Sequence, residues 1–219
     1  MSPTVPSPLS GRRAEAARND ARILESARAV FLADPRAPIT AVAHHAGVGI
    51  SALYGRYRSK EELLRKLCRD GLQLFVDETQ AALADDRDDW TVFADYMRRL
   101  VDADTTSMTR ALAGKFTPTD DMFALAERAN ELLGALFGRI RRELRKDADV
   151  HDVSMILELV AALKLTDSER TRQLRGRYLA ILLDGMRAGA IEVLPGPPPS
   201  WRELSERWRP DPGRQSGGS

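Results

Sequence analysis

Apolar residues recur along most of this chain at the three- and four-residue spacings of amphipathic helices. A first helix is predicted from about Asn19, and the Asp34–Pro35 step ends it because proline disfavours helical backbone in the residue before it. A second short helix is predicted over 38–47 and a third over 49–57. The sequence contains neither the alternating pattern of a strand pair nor an Asn-Gly hairpin turn. The pattern therefore predicts an all-α fold.

The later helices begin at residues that favour helix starts. Ser59 is followed three residues later by Glu62, which is the arrangement of a capping box. Asp149 is a suitable cap for another helix, and Thr166 with Glu169 repeats the capping-box spacing. The predicted helices of this part are 59–83, 90–101, 118–146, 149–165 and 166–189, with a short amphipathic turn at 201–208.

Two proline-containing stretches fall outside this helical pattern. Residues 1–11 hold three prolines, three serines and no charged side chain, which predicts a flexible lead-in. Residues 195–199 read Pro-Gly-Pro-Pro-Pro and predict a stiff, extended spacer at the start of a Pro-rich tail, 195–219.

Composition narrows the class of protein. Hydrophobic residues make up 43% of the chain and charged residues 30%, which is typical of a soluble globular protein and excludes collagen-like or low-complexity classes. Apolar runs such as 178–183 are far shorter than the roughly 18 residues that cross a bilayer, and no secretory signal is visible. We therefore expect a cytoplasmic protein without membrane contact. One cysteine and three scattered histidines predict no internal disulfide, metal site or cofactor.

Charge is distributed unevenly along the chain. Residues 12–70 carry 12 Lys and Arg against 7 Asp and Glu, a net charge of +5. Residues 71–219 carry 21 against 25, a net charge of −4. A basic N-terminal third attached to an acidic remainder is the electrostatic outline of a nucleic-acid-binding domain joined to a second domain.

Residues 38–57 are the most informative stretch, because they read as two short helices joined by a tight turn at Gly47. Val42, Ala43 and Ala46 are expected to face inward on the first helix, and the small Ala43 side chain lets the helices cross closely. This pattern predicts a helix-turn-helix, whose second helix can enter a major groove roughly 12 Å wide.

The segment resembles the N-terminal DNA-binding domain of the TetR/AcrR (tetracycline-repressor) family of bacterial regulators. The resemblance covers roughly residues 15–75 and implies a three-helix helix-turn-helix domain followed, over 76–194, by a helical ligand-binding and dimerisation domain. The matching residues, in the family's order and spacing, are Val42–Ala43, Ala46–Gly47–Val48, Leu53–Tyr54, Tyr57 and Ser59–Lys60–Glu61.

The resemblance also implies which side chains contact DNA. Phosphate contacts supply affinity and register, whereas contacts to base edges specify the sequence. The implied contacts are Thr40 to phosphate or a base edge, Tyr54, Arg56 and Lys60 to phosphates, Ser51 and Ala52 to bases, and Arg12, Arg13 and Arg18 in a basic arm.

This sequence departs from the family pattern at three positions. Gly49 replaces the usual serine at the cap of the recognition helix, and Ala52 offers a methyl group where threonine or serine is common. The methyl group suits a thymine methyl rather than a hydrogen bond. Gly55 replaces a bulkier residue and costs up to about 1 kcal/mol of helix propensity.

Several residues have a plain structural alternative. Tyr57 is expected in the core, while Ile50 is equally consistent with the core and with a DNA-facing position. His44 and His45 are expected on the surface, and Cys68 as a small buried hydrophobic residue. Arg12 and Arg13 are open between a solvated tail and ordered DNA contacts.

In the second domain the resemblance implies an effector pocket and a dimer interface. The pocket candidates Trp90, Phe93, Met97, Phe116, Phe123 and Phe137 are also consistent with plain core. Arg110 and Lys115 are candidates to meet an anionic ligand or to lie on a solvated face. The interface candidates are Leu159, Ala162, Leu174, Tyr178, Ile181, Leu182 and Met186.

The function implied is a sequence-specific regulator, a ligand-responsive repressor that binds a palindromic double-stranded operator as a homodimer. An alternative is a helical interaction module whose basic part binds an acidic protein. The least favoured alternative is an enzyme, because no set of nucleophile, base or metal ligands is visible.

Overall fold

The computed structural model describes residues 8–189 and 192–206, with side chains for 15–189 and 192–205. All regular elements in these ranges are helical, apart from one isolated antiparallel bridge between Leu144 and Arg187, so the predicted all-α fold is confirmed. None of the described helices combines the length and apolar character that a membrane span requires. The helices are α1 (Pro8–Ala33), α2 (Ile39–Ala46), α3 (Ile50–Arg56), α4 (Lys60–Leu83), α5 (Asp89–Asp102), α6 (Thr105–Leu112), α7 (Asp120–Arg139), α8 (Val150–Ala162), α9 (Ser168–Met186) and α10 (Trp201–Glu206).

Helix α1 begins at Pro8, well before the predicted start at Asn19. Residues 8–11 are therefore helical, although the sequence assigned them to the lead-in. The segment between them and Asn19 is rich in Ala, Arg and Glu, which are good helix formers, and a proline is tolerated in the first turn of a helix. The rest of the predicted lead-in, 1–7, lies outside the described residues.

The chain divides into two compact units, Met1–Leu67 and Cys68–Ser219, with the boundary inside α4. In the first unit, each of α1, α2, α3 and the start of α4 contributes buried apolar residues. Phe31, Val42, Leu53 and Leu63 are all fully buried there. The Ser59 side chain accepts a hydrogen bond of 3.1 Å from the Glu62 amide, as the predicted helix start requires.

The core of the second unit is built around α5, whose buried face includes Phe93, Tyr96 and Met97. Leu136 of α7 and Leu183 of α9 belong to the same cluster. The Tyr96 hydroxyl lies in this core and is satisfied by Thr79 Oγ1 at 3.0 Å. A buried hydroxyl that lacked such a partner would cost free energy.

Helix α7 ends at Arg139, earlier than the predicted end near Lys146. A short 3-10 turn, Arg141–Glu143, follows, and the backbone then turns toward the end of α9. The Arg145 amide donates to the Met186 carbonyl at 2.9 Å, and the Ala188 amide donates to the Glu143 carbonyl at 2.8 Å. These tertiary hydrogen bonds compete with helical ones, which is why the apolar periodicity misplaced the end of the helix.

Candidate functional site

The turn between α2 and α3 is closed at Gly47, whose φ of 63° lies in the left-handed region that favours glycine. The Arg22 guanidinium of α1 donates a hydrogen bond of 2.6 Å to the Ala46 carbonyl at this turn. A Cβ atom added at Gly47 would lie 3.2 Å from the same guanidinium. Arg22 therefore fixes the end of α2, and with it the start of α3.

Helix α3 is placed as an exposed element rather than a packing element. Of its seven residues only Leu53 is buried. Ser51 and Ala52, the predicted base-reading residues, are both exposed on this helix. Ile50 is also exposed, which resolves its two alternatives in favour of the surface. A short helix held by one buried side chain leaves most of its surface available for a partner.

The two tyrosines of the motif have opposite environments. Tyr54 is 47% exposed, whereas Tyr57 is 6% exposed and lies in the core as predicted. The Tyr57 hydroxyl donates to Asp20 Oδ1 of α1 at 2.8 Å. The same carboxylate lies 3.4 Å from Nε of Arg56. Asp20 therefore connects α1 to the C-terminal end of α3 and orients Arg56, whose side chain stays half exposed.

Lys60 makes internal contacts in the first unit. Its ammonium donates to the carbonyls of Pro35 at 3.1 Å and Ala37 at 2.7 Å, in the loop before α2. It also lies 5.0 Å from the centre of the Phe31 ring. Lys60 thus links the start of α4 to the loop that leads into α2, a structural role that the sequence pattern did not indicate.

The remaining residues predicted to contact DNA are distributed over α1 and α2. Thr40 is exposed in the first turn of α2, and Arg18 is exposed on α1. His44 and His45 are exposed near the end of α2, as expected. The side chains of Arg12 and Arg13 lie outside the described residues.

The second unit contains a cavity of about 300 Å³. Its walls come from α4, α6, α7, α8 and α10, and most of the lining side chains are apolar. Glu127 and Glu158 are the acidic members of the lining, and the described lining includes no lysine, arginine or histidine. A volume of this size, with mostly apolar walls and a few polar groups, is typical of a small-molecule site.

The cavity lies away from most of the side chains that the sequence assigned to a pocket. Only Phe123 of the six candidates lines it. Phe93 and Met97 are fully buried in the core of the second unit, and Trp90 and Phe137 pack against that core. Phe116 is buried outside the described lining. Apolar periodicity marks a face that is buried, but it does not distinguish a filled core from a cavity wall.

Arg110 and Lys115 are absent from the lining as well. Cys68, expected as a buried hydrophobic residue, is buried and is also part of the cavity wall. Burial raises the pKa of the Cys68 thiol to about 12, so the thiol is neutral at physiological pH.

Arg175 of α9 is an important residue that sequence analysis missed. It is 8% exposed and its guanidinium contacts Asp104, Ser107 and two backbone carbonyls. The available signal was its spacing, since Arg175 precedes Leu179 and Leu183 by four and eight residues on the buried face of α9. A charged residue in such an apolar stripe requires a buried partner.

Helices α8 and α9 expose apolar side chains. Leu159 of α8 and Tyr178 and Ile181 of α9 are each between 46% and 57% exposed. Ala162, another predicted interface residue, is exposed, and Leu174 and Leu182 are half-buried. Met186 belongs to the core of the unit instead, where it is 5% exposed.

Solved structures of several other proteins are similar to that of this chain. The sequence matches no protein-family model and no curated protein. A TetR transcriptional regulator from Streptomyces coelicolor is 27% identical, with a TM-score of 0.55 over 78% of this chain and 99% of that chain. A TetR regulatory protein from Mycobacterium vanbaalenii is 25% identical, with a TM-score of 0.55 over 80% and 98%. LfrR from Mycobacterium smegmatis, solved in complex with proflavine, is 18% identical, with a TM-score of 0.52 over 81% and 98%.

Proposed function

We propose that this chain is a DNA-binding transcriptional regulator of the TetR type, because its structure is similar to those of two TetR regulators that are 27% and 25% identical to it. It represses transcription as a dimer on a palindromic operator and leaves the DNA when a small molecule enters its cavity. The observation that carries the DNA-binding part is the exposure of α3, which has one buried residue and follows a turn that Arg22 fixes at the end of α2. A helix with this surface fits the major groove of double-stranded DNA.

The chemistry of each DNA-facing side chain indicates which part of the DNA it contacts. Tyr54, as an exposed phenol, donates to a phosphate oxygen, and Arg56 adds a positive charge beside it. Ser51 and Ala52 face the bases, with a hydroxyl for a polar edge and a methyl group for thymine. The DNA backbone on either side of the groove is contacted by Thr40, Lys60 and Arg18.

The cavity is the proposed effector site. Its apolar walls favour a largely apolar ligand, because burying apolar surface is the main source of affinity in such sites. Glu127 and Glu158 disfavour a carboxylate or phosphate ligand, because like charges repel and the described lining offers no basic side chain. The ligand class is therefore an uncharged or cationic apolar molecule rather than the anion that Arg110 and Lys115 suggested.

The exposed apolar residues of α8 and α9 support the dimer. In a two-fold interface the same surface is used twice, so Tyr178 and Ile181 of one copy meet the corresponding face of the other. Two recognition helices related by this axis require half-sites about 34–36 Å apart, or a multiple of that distance. The expected operator is therefore a palindrome.

The experiment that tests this function is selection from a pool of random DNA duplexes at moderate salt, followed by sequencing of the bound fraction. A dimeric regulator enriches a palindrome, and binding weakens steeply with added salt as counterions are released. A bound fraction without any enriched sequence contradicts the proposal. Binding of an acidic protein in the absence of any DNA binding favours the interaction-module alternative.

The effector part is tested with a variant that fills the cavity. Ala126 of α7 lines the cavity, whereas Ala124 is exposed on the same helix outside the lining. Compounds that release the operator from the unmodified protein are identified first. Ala126→Trp is then expected to bind operator normally but to lose its response to these compounds, while Ala124→Trp keeps both properties. An unchanged response of Ala126→Trp places the effector elsewhere.

A further inference from the structure

Helix α10 contributes to the wall of the cavity together with α4, α6, α7 and α8. Three of its six residues, Trp201, Leu204 and Ser205, are lining residues. They follow the i, i+3, i+4 spacing of one helix face. Leu204 is 8% exposed, although Arg202 and Glu203 beside it are exposed. The packed face of α10 is thus the face toward the cavity.

The connection to α10 is exposed. Residues 192–198 lie on the surface, and they include most of the Pro-rich spacer. The start of this connection is fixed, because the Leu194 amide donates to Asp147 Oδ2 at 2.7 Å and Arg145 contacts the Glu192 carbonyl. A tether that is anchored at one end and lies on the surface holds α10 near the cavity without burying the tether.

A capping interaction at its start stabilises helix α10. The Ser200 hydroxyl accepts from the Glu203 amide at 3.3 Å, and Glu203 Oε2 accepts from the Ser200 amide at 2.7 Å. This reciprocal capping box preserves a short helix that would be unstable by itself. The helix is thus a locally stabilised unit, and Trp201 and Leu204 are its apolar contacts with the cavity.

We propose that α10 is a lid of the ligand cavity, which Trp201 and Leu204 keep closed and which opens on the 195–199 tether to admit the ligand. A six-residue helix on an exposed connection opens at a lower free energy than the core does. The inference rests on the proposed effector site for the identity of the cavity, but the closure itself can be measured without any effector.

Cys68 provides the probe, because it lines the cavity, is buried, and is the single cysteine of the chain. The full-length protein is treated with N-ethylmaleimide, a small uncharged thiol reagent, and modification is followed by mass spectrometry. In Trp201→Ala/Leu204→Ala, Cys68 is expected to react roughly tenfold faster or more, because labelling follows the population of the open state. Val193→Ala is the matched control, since Val193 lies in the same segment, is 77% exposed and is outside the lining.

Two results overturn the lid. The first is a labelling rate in the double variant equal to that of the unmodified protein and of Val193→Ala. The second is a rate that rises steeply with urea from the lowest concentrations, because such dependence marks global unfolding rather than a local opening. A faster rate that is insensitive to low urea supports the lid.

The same measurements separate the lid from the effector proposal. If labelling accelerates and the Ala126→Trp variant still responds to releasing compounds, α10 covers a cavity that is not the effector site. If labelling is unchanged and Ala126→Trp loses its response, the effector proposal is supported and the lid proposal is contradicted.

Discussion

Arg175 and Asp104 form an ion pair of 2.7 Å that joins α9 to the residue immediately before α6. Asp104 has a φ of 51°, a left-handed conformation that is uncommon for a non-glycine residue. The same guanidinium donates to the Ala161 carbonyl at 2.9 Å and the Leu163 carbonyl at 3.0 Å, at the end of α8. The Arg175 side chain thus connects α6, which forms part of the cavity wall, to α8 and α9, which carry the exposed apolar residues.

Replacing Arg175 is expected to destabilise the protein strongly. Arg175→Met removes the partner of Asp104 and of two carbonyls, and we expect a loss of roughly 2–4 kcal/mol in the free energy of unfolding. The value lies at the low end for a buried pair because the Asp104 side chain is 31% exposed and can be hydrated. Urea unfolding measures the loss. Arg172→Ala, which removes an exposed pair with Glu169, is the control and should change stability by less than about 1 kcal/mol.

The two motif tyrosines should separate binding from stability. Tyr54→Phe is expected to weaken operator binding roughly five- to thirtyfold without changing stability, because an exposed hydroxyl that contacts phosphate is lost. Tyr57→Phe is expected to lower the stability by about 1 kcal/mol, because its hydrogen bond to Asp20 is lost. Fluorescence anisotropy with labelled operator and thermal unfolding measure the two effects. A stability loss in Tyr54→Phe with intact binding would show that the hydroxyl has a structural role.

Replacing Lys60 should affect both DNA binding and stability. Lys60→Ala is expected to weaken binding to all DNA sequences about equally and to lower the slope of log affinity against log salt by roughly one per subunit. It should also lower the thermal stability, because the carbonyls of Pro35 and Ala37 lose their donor. An unchanged salt slope together with lower stability would assign Lys60 to the internal contacts alone. Ser51→Ala provides the contrast, since it should change sequence preference instead.

A charge on the exposed apolar face should prevent dimer formation. Ile181 is 53% exposed, and Ile181→Asp would bury an unpaired carboxylate in the proposed interface, at a cost of several kcal/mol. We expect a monomer at micromolar concentration in sedimentation velocity, with weakened operator binding. Arg172→Asp introduces the same side chain nine positions earlier on α9, two and a half turns away and on the opposite face of the helix, and should leave the dimer intact. A dimer that persists in Ile181→Asp would show that the interface lies on another surface.

The Cys68 thiol should make stability fall at high pH. Burial raises its pKa from the ordinary 9.0 to about 12 in the folded protein. Between these values the unfolded chain loses the proton and the folded chain retains it, so the thiol's contribution is complete below pH 9 and is lost as the pH rises toward 12. The difference in unfolding free energy between the unmodified protein and Cys68→Ala should therefore shrink by up to about 1.4 kcal/mol per pH unit above 9. Urea unfolding at pH 8 and pH 10.5 measures this change, and a constant difference would contradict the burial argument.

Local signals in the sequence determined much of the DNA-binding unit. Gly47 could be recognised as a turn because left-handed backbone favours glycine, and Tyr57 as a core residue because of its spacing from Leu53. The positions of Ser51 and Ala52 on the front of the recognition helix were implied by the family resemblance, which rests on the same local motif. These features depend on neighbours within a few residues, so the sequence by itself contained them.

The tertiary structure alone decided what requires residues distant in the chain to meet. Lys60 contacts Pro35 and Ala37, and Arg175 contacts Asp104, over separations that no helical period encodes. The cavity lies between α4, α6, α7, α8 and α10 and includes only one of the six predicted pocket residues, because its position depends on where helices from separate segments leave space unfilled. Helical periodicity tells which face of an element is buried, whereas packing between elements decides what that face meets.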